Sequence, residues 1–317
     1  MVMRMIIVRV VFYIILVLSF PLQAQDKLSG YWPREFVNAD GSVTVIPEKP
    51  KRILSTSVTV TGTLLAINAP LVASASDGRG DFFQQWKSTA EERQLDKLWP
   101  AGSIDLEMVY SVAPDLIIVS YSGGDSAKEQ MEALSLIAPT IMVDYGKQTW
   151  QKLATRLGEA MGMEESTQAV IADFDEYLDK IRNQLSLPDK QANIISYHGA
   201  GIVNPIAKTG SPHAQLLKTL GFEIEGPDPS WETYKDKRND FVRAHYENLT
   251  LLKAPVTFLI VADQNKANKL MNDPVLANMP SVKKKQVYGL GLNSFRVDYF
   301  SALEIIDTVS DYFRVHR

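Results

Sequence analysis

Residues 107–120 read EMVYSVAPDLIIVS, and residues 247–262 read ENLTLLKAPVTFLIVA. Each stretch predicts a short helix that begins near a glutamate, a turn at a proline and then a buried strand. A supersecondary unit that occurs twice, at domain-sized spacing, predicts two similarly built lobes. Two lobes enclose one cleft, and clefts are where small ligands bind. The repeat therefore indicates a ligand-binding protein.

The composition of the chain excludes several kinds of protein. Of its 317 residues, 45% are hydrophobic and 22% are charged, and the formal net charge is −4. These fractions are typical of a soluble globular protein, and the acidic balance predicts no nucleic-acid partner. There is no cysteine. Disulfides, thiolate metal sites and cysteine nucleophiles are therefore excluded.

The N-terminus has the pattern of a secretory signal peptide. Arg4 and Arg9 precede an unbroken apolar run at 10–18, and LQA at 22–24 is a suitable cleavage site. The run is shorter than the roughly 20 apolar residues that span a membrane. We expect residues 1–24 to be removed and the mature chain to enter the periplasm. Since no cysteine stands at the cleavage site, we expect no lipid anchor.

Strands and helices alternate along the rest of the chain. Buried strands are predicted at 52–56, 71–76, 115–120 and 140–145, and again at 192–197, 222–225, 257–262 and 286–288. This alternation predicts an α/β fold with two Rossmann-like lobes, each built on a mainly parallel sheet, with the ligand cleft between them. Residues 164–187 contain no glycine or proline. They predict a single long helix that joins the lobes and limits hinge motion, so we divide the chain into lobes at 25–162 and 189–317 and a joining helix at 163–188.

The sequence lacks the motifs of common enzymes. It has no G-x-S-x-G elbow, no Walker loop and no H-E-x-x-H, and its four histidines lie far apart. The glycine-bearing turn at 122–126 lacks the lysine of a phosphate-binding loop, so Asp125 or Ser126 is predicted to cap a following helix. We expect a binding protein with no catalytic activity, no resident cofactor and no metal ligated by the protein.

Three arginines fall in loops where the two lobes would face each other: Arg79, Arg238 and Arg296. Ligands of open α/β sheets lie beyond the carboxyl ends of the strands. Arginine pairs with anionic oxygens and also stacks on aromatic planes. Aromatic residues and one histidine accompany the arginines in the same regions, namely Trp86, Trp99, Tyr121, Tyr197, His198, Trp231, Tyr234 and Phe295. The combination predicts a large, flat-faced, anionic ligand.

Glu107 and Glu247 occupy the same place in the two repeated units. A single glutamate there would be explained by helix capping or by solvation. Two glutamates in equivalent places present a matched pair of negative charges to a symmetric partner. Such charges give register and steering more than affinity.

Several segments together resemble the periplasmic siderophore-binding proteins of ABC importers, most closely those that bind ferric enterobactin. They are RILSTSVTVTGTLLAI at 52–67, APDLIIVSYSGGDSA at 113–127, KQVY at 285–288 and SFRVDYFSA at 294–302. The resemblance covers nearly all of the mature chain. It implies capture of a ferric catecholate siderophore by a monomer and its delivery to an inner-membrane ABC permease.

On this resemblance Arg79, Arg238 and Arg296 face the ligand, and Glu107 and Glu247 dock with permease arginines, one on each lobe. The siderophore holds the iron, so no metal ligands are expected from the protein. The sequence IVNP stands at 202–205, where the family would place an aromatic wall. A linear catecholate or a related siderophore therefore remains open.

An alternative ligand within the same fold is haem or a corrinoid. Haem would need an axial tyrosine or histidine in the cleft, for which Tyr121, Tyr197 or His198 would have to serve.

Overall fold

The computed structural model describes residues 31–235 and 238–315, and the predicted signal peptide lies outside these ranges. A short antiparallel hairpin comes first, formed by β1 (Arg34–Val37) and β2 (Val43–Ile46). Two α/β lobes follow. None of the helices in the described ranges is long and apolar enough to cross a membrane.

The N-terminal lobe is a five-stranded parallel sheet with the strand order β5-β4-β3-β6-β7. Its strands are β3 (Ile53–Ser55), β4 (Leu71–Ser76), β5 (Asp96–Pro100), β6 (Leu116–Ser120) and β7 (Thr140–Val143). Its helices are α1 (Val58–Ala66), α2 (Gln84–Glu92), α3 (Leu106–Val112), α4 (Met131–Ser135) and α5 (Trp150–Met161). Every residue of β6 is buried, as expected for a strand that helices cover on both faces.

The C-terminal lobe has a six-stranded sheet in which β10 pairs with β8 beside the path β11-β9-β8-β12-β13. The strands are β8 (Gln191–Ile195), β9 (Asn204–Ala207), β10 (Glu223–Ile224), β11 (Phe241–Ala244), β12 (Val256–Leu259) and β13 (Val287–Gly289). The helices are α7 (Pro212–Thr219), α8 (Gln264–Met271), α9 (Pro280–Lys283) and α10 (Tyr299–Phe313). Short 3-10 helices occur at Lys128–Gln130, Tyr145–Lys147, Pro229–Trp231 and Tyr246–Leu251.

The joining helix α6 spans Glu164–Arg182, with no glycine or proline to interrupt it. The sequence predicted that it would continue to residue 187, and this part of the prediction is wrong. Residues 184–186 instead pair with the end of α10 and the residues after it, where Ser186 N donates to the carbonyl of Phe313 (2.8 Å) and Val315 N donates to that of Gln184 (3.2 Å). Tertiary pairing outweighs helix propensity in this segment.

The lobes share one main core. It runs from Ile118 on β6, through Phe174 on α6, to Phe258 on β12 and Phe313 at the end of α10. Each lobe also has a smaller core of its own, separate from the main core, which we call its outer core. The outer core of the N-terminal lobe includes Val109, and that of the C-terminal lobe includes Leu249. The lobes are therefore held together by side-chain packing as well as by the chain that connects them.

The predicted fold class is confirmed, namely two α/β lobes with mainly parallel sheets, a long helix between them and a cleft. The sequence missed β1 and β5 in the first half of the chain, and β9 and β11 in the second. The strands β9 and β11 run antiparallel to their neighbours, and β9 contains Pro205, which lacks the N–H that a central strand would use.

Candidate functional site

The carboxyl ends of β4, β6 and β7 meet at one edge of the N-terminal sheet because these strands are parallel. The loops that follow them contact two segments of the C-terminal lobe. Asn239 Nδ2 donates to Asp144 Oδ2 (3.2 Å), and Gln85 Nε2 donates to Asp298 Oδ2 (3.1 Å). This edge is therefore where the cleft between the lobes lies.

Arg296 is the central residue of the contact between the lobes, and only 7% of it is exposed. Its Nη1 donates to Asp240 Oδ2 (3.0 Å), and its guanidinium carbon lies 5.2 Å from the ring centroid of Tyr145. Tyr145 Oη in turn donates to Asp125 Oδ1 (2.9 Å). We call these four residues the inter-lobe joint. Burial lowers the pKa of Arg296, but Tyr145 and Asp240 more than offset this, so the guanidinium stays charged.

Asp125 connects the joint to the start of α1. Ser57 Oγ donates to its carboxylate (2.5 Å), and so does the backbone N–H of Thr59 (3.1 Å). The sequence predicted that Asp125 or Ser126 would cap the helix after the turn. This is wrong for Asp125, whereas Ser126 Oγ accepts from the N–H of Lys128 (3.5 Å), the first residue of the next 3-10 helix. The carboxylate of Asp125 instead accepts hydrogen bonds at the start of α1. This helix begins at the edge of the sheet where the parallel strands end, and the N–H groups of its first turn favour an anion.

The absence of a side chain at Gly123 leaves room for the hydrogen bond between Tyr145 and Asp125. Its φ of +100° is in the region that favours glycine, and a Cβ there would lie 1.8 Å from Tyr145 Oη. The turn at 122–126 was recognised in the sequence as a helix entry. Its function in holding Tyr145 was missed, since that depends on β7 lying beside β6.

A cavity of about 400 Å³ opens between the lobes next to the joint, and we call it the cleft cavity. The N-terminal lobe contributes residues from the loop after β4 and from α2, and the C-terminal lobe contributes residues from the loop after β13. Its lining residues are Asp77, Arg79, Asp81, Phe82, Phe83, Gln84, Gln85, Leu292, Asn293, Phe295 and Arg296.

Arg79 of the N-terminal lobe and Phe295 of the C-terminal lobe are both exposed, and both line the cleft cavity. The guanidinium of Arg79 makes no ion pair within the described residues. Phe295 is backed by Arg296, whose guanidinium carbon lies 4.4 Å from its ring centroid. A cation and an aromatic face are thus presented to the cavity.

The loop that carries Arg79 is braced by its own acidic residues. Arg79 N and Asp81 N both donate to Asp77 Oδ1 (2.8 and 3.0 Å). Asp81 accepts from Lys87 Nζ (2.6 Å) and Lys97 Nζ (3.2 Å), and these bonds hold the pKa of its carboxyl below the usual range. No pattern in the sequence marks Lys87 or Lys97 as site residues, because neither lies at the carboxyl end of a strand.

A second, water-sized cavity of about 20 Å³ lies inside the joint, between Tyr145 and His213. Burial lowers the pKa of His213 to about 4, so the imidazole is neutral at neutral pH. Its Nε2 lies 2.8 Å from the carbonyl oxygen of Ser294 and therefore donates to it. His213 is a structural residue of the buried contact between the lobes.

Four of the predicted ligand residues lie outside the lining of the cleft cavity: Arg238, Tyr121, Trp231 and His198. Arg238 is exposed, and its carbonyl accepts from Lys208 Nζ. Tyr121 and Trp231 are half-buried, the first with Lys128 Nζ 5.5 Å from its ring centroid. His198 is exposed with Nε2 3.0 Å from Ser196 Oγ, and partial burial of the ring lowers its pKa.

Two further predicted ligand residues, Trp99 and Tyr197, pack in cores and do not line the cleft cavity. Trp99 is only 5% exposed and packs in the outer core of the N-terminal lobe. Tyr197 is buried in the outer core of the C-terminal lobe, and its hydroxyl donates to Asp273 Oδ2 (2.9 Å). Burial and this hydrogen bond raise the pKa of Tyr197 to about 12. Trp86 is likewise fully buried. Aromatic residues at strand ends fill cores as readily as they line clefts.

Glu107 and Glu247 are both exposed, and each lies in the first turn of a short helix. Within the described ranges neither makes an ion pair. Among the same residues there is no group of three or more His, Asp or Glu side chains that could hold a metal ion.

The fold and the cleft define the class of protein. Residues 53–293 match the family model of the periplasmic binding proteins, and the chain belongs to this family. The family that the sequence resembles is thereby confirmed.

Individual relatives refine this assignment. The chain is 38% identical, over 293 residues, to the ferric enterobactin-binding periplasmic protein FepB of Escherichia coli O6:H1 (strain CFT073), with 89% of this chain and 91% of that protein covered. It is 55% identical to the crystal structure of holo-ViuP, with a TM-score of 0.88 and coverage of 90% and 96%. A crystal structure of Staphylococcus aureus SirA complexed with staphyloferrin B is 19% identical, with a TM-score of 0.69 and coverage of 88% and 97%, and shows the shared fold alone.

Proposed function

We propose that this protein captures a ferric catecholate siderophore between its lobes and delivers it to an inner-membrane ABC permease. The observation that carries the proposal is that Arg79 of one lobe and Phe295 of the other line the same cavity. A ferric tris-catecholate bears three negative charges on an aromatic shell, and a cation facing an aromatic ring complements both properties. The 38% identity to a ferric enterobactin-binding protein supports the same class of ligand.

In this proposal the two arginines of the cleft cavity have different roles. Arg79 lies on a loop held by Asp77 and Asp81, so its guanidinium is available to pair with catecholate oxygens. Arg296 already pairs with Asp240 and stacks behind Phe295. It therefore acts as a positioning residue, which holds the ring in place and adds positive potential behind it.

The siderophore supplies every ligand of the iron, and the protein binds the organic shell. The arginine, phenylalanine and amide side chains of the cavity lining suit this shell, and the two carboxylates in the lining, Asp77 and Asp81, already accept hydrogen bonds from the loop of Arg79 and from Lys87 and Lys97. We propose no resident cofactor and no catalytic activity. Tyr197 is poorly placed to ligate the iron of a haem, because its hydroxyl already donates a hydrogen bond to Asp273.

The proposed permease contact uses the exposed glutamates Glu107 and Glu247, one on each lobe. A monomer with one glutamate per lobe matches a partner with two related halves, and arginines are the complementary charge. We further propose that the protein acts in the periplasm after cleavage of the signal peptide at 1–24.

Fluorescence titration tests the ligand class. Trp86 packs against Phe82 and Phe83 of the cavity wall, with ring centroids 5.3 and 6.1 Å apart, so a bound chromophore should quench its emission. We expect saturable quenching by ferric enterobactin at nanomolar to low-micromolar concentration, and none by a ferric hydroxamate or haem. Quenching by haem alone would overturn the proposal.

Two variants test the site itself. We expect Arg79→Ala to weaken catecholate binding by about tenfold or more, since a charged contact is lost. The exposed Arg93, which does not line the cavity, provides the matched control Arg93→Ala and should bind normally. Equal affinities of the two variants would place the ligand elsewhere.

A further inference from the structure

The two repeated segments hold equivalent places in their lobes. In α3, Val109 and Val112 pack into the outer core of the N-terminal lobe. In the 3-10 helix Tyr246–Leu251, the residues Tyr246 and Leu249 pack into the outer core of the C-terminal lobe. Each segment leads through a proline turn into a buried strand. The remaining sides of both segments face solvent.

A large apolar side chain is exposed beside the glutamate on each segment. Tyr110 is 62% exposed and Leu251 is 54% exposed. Each lies four positions before the proline of its unit, Pro114 or Pro255. On α3, Tyr110 is one turn after Glu107 on the same side of the helix, since residues three apart are neighbours. On the 3-10 helix, Leu251 is exposed four positions after Glu247, slightly more than one turn further along.

A single exposed apolar residue on a soluble protein needs no explanation. Here an exposed glutamate and an exposed apolar residue occur together on the corresponding segment of each lobe. Leu106 adds a second exposed apolar side chain next to Glu107. The repetition therefore suggests one kind of contact made twice.

We propose that Tyr110 and Leu251 are the apolar anchors of the permease contact. Each side chain enters a shallow apolar pocket on the permease, next to the arginine that pairs with Glu107 or Glu247. This inference rests on the proposed function, because it specifies the docking surface of the same complex. The partner is an integral membrane permease whose two halves each present a cation next to an apolar depression. Tyr110 is the stronger anchor, because tyrosine is enriched among energetically dominant interface residues and leucine is not.

The charges and the anchors have separable kinetic effects. Exposed charges mainly change the rate of association and its dependence on salt. Buried apolar contacts mainly change the rate of dissociation. Glu107→Gln and Glu247→Gln should therefore slow association and flatten its salt dependence. Tyr110→Ser and Leu251→Ser should speed dissociation and leave the salt dependence unchanged.

The experiment measures binding of the full mature protein, loaded with ferric enterobactin, to its cognate permease in lipid nanodiscs, at several salt concentrations. We expect Tyr110→Ser to raise the dissociation rate by roughly fivefold or more, and Leu251→Ser by less. Val45→Ser is the matched control, because Val45 is exposed on the hairpin strand β2, away from both segments. Siderophore quenching and thermal unfolding verify that each variant is folded and loaded.

The outcomes separate the two proposals. Faster dissociation of the serine variants with a normal Val45→Ser supports the anchors. Slower association of the glutamine variants with unchanged serine variants overturns the anchors and leaves the docking glutamates in place. If all four variants bind normally, both the anchors and the proposed docking face are wrong, while siderophore capture in the cleft is unaffected.

Discussion

The guanidinium carbon of Arg296 lies 5.2 Å from the ring centroid of Tyr145, so a cation of the C-terminal lobe packs on a ring of the N-terminal lobe. The same guanidinium pairs with Asp240 (3.0 Å). Both charged residues are nearly fully buried. Arg296 therefore belongs to the contact that holds the lobes together, as well as to the wall of the cleft cavity.

Replacing Arg296 with alanine should destabilise the protein. The change leaves the carboxylate of Asp240 buried without its counter-ion, which typically costs about 3–5 kcal/mol. Guanidinium chloride unfolding followed by circular dichroism measures the loss. Arg79→Ala is the control and should change the free energy of unfolding by less than about 0.5 kcal/mol, because Arg79 is exposed. A small loss for Arg296→Ala would mean that Asp240 finds another partner.

Gly123→Ala should separate Tyr145 from Asp125. The added Cβ would lie 1.8 Å from Tyr145 Oη, and the backbone φ of +100° is strained for alanine. We expect a loss of about 1–3 kcal/mol in unfolding free energy. Gly124→Ala is the matched control, since a Cβ there meets nothing within 4 Å. Equal stability of the two variants would contradict the close approach of Tyr145 to this turn.

Asp298 should make the stability of the protein fall as the pH rises. Burial raises the pKa of its carboxyl to about 6, although Ser301 and Gln85 donate hydrogen bonds to it. Between about pH 4 and pH 6 the unfolded state releases this proton and the folded state keeps it, so ionisation favours unfolding. Relative to Asp298→Asn, the wild-type protein should lose about 3 kcal/mol between pH 4 and pH 7. Unfolding titrations at the two pH values test this, and a constant difference would exclude it.

His213 should have the opposite effect in the same range of pH. Burial lowers its pKa to about 4, so the unfolded state takes up a proton first as the pH falls below about 6.5. Relative to His213→Gln, the wild-type protein should lose about 3 kcal/mol of stability between pH 7 and pH 4. Glutamine can still donate to the carbonyl of Ser294, which makes it a conservative replacement. If both variants follow the wild type with a constant offset, neither group titrates as its burial requires.

The repeated helix–proline–strand units were sufficient to predict two α/β lobes with mainly parallel sheets. Apolar spacing and capping residues also predict helices at 60–67, 150–161 and 299–313, where the structure has α1, α5 and α10, because both signals are local. The end of α6 could not be predicted, because residues 184–186 pair with the end of α10, more than 100 positions away. The strand β9 was missed for a similar reason, since its pairing with β8 overrides its proline.

For the site, the sequence identified Arg79, Arg296 and Phe295, which the structure brings to one cavity. It also nominated Trp99 and Tyr197, whose side chains are in outer cores instead. Residue type and position at a strand end do not decide whether an aromatic ring faces a cleft or a core. That depends on which helices cover each face of the sheet.

By itself the sequence determined the lobes, the long helix between them, the family and the residue types available for an anionic aromatic ligand, because periodicity, caps and motifs are properties of neighbouring residues. Only the tertiary structure decided that Asp125 accepts hydrogen bonds at the start of α1. The same is true of the pairing of Arg296 with Asp240 and its stacking on Tyr145. It also decided that Tyr110 and Leu251 are exposed on the same segments as the two glutamates. These relationships join residues that are far apart in the chain, and burial and pairing are fixed only when the lobes pack together.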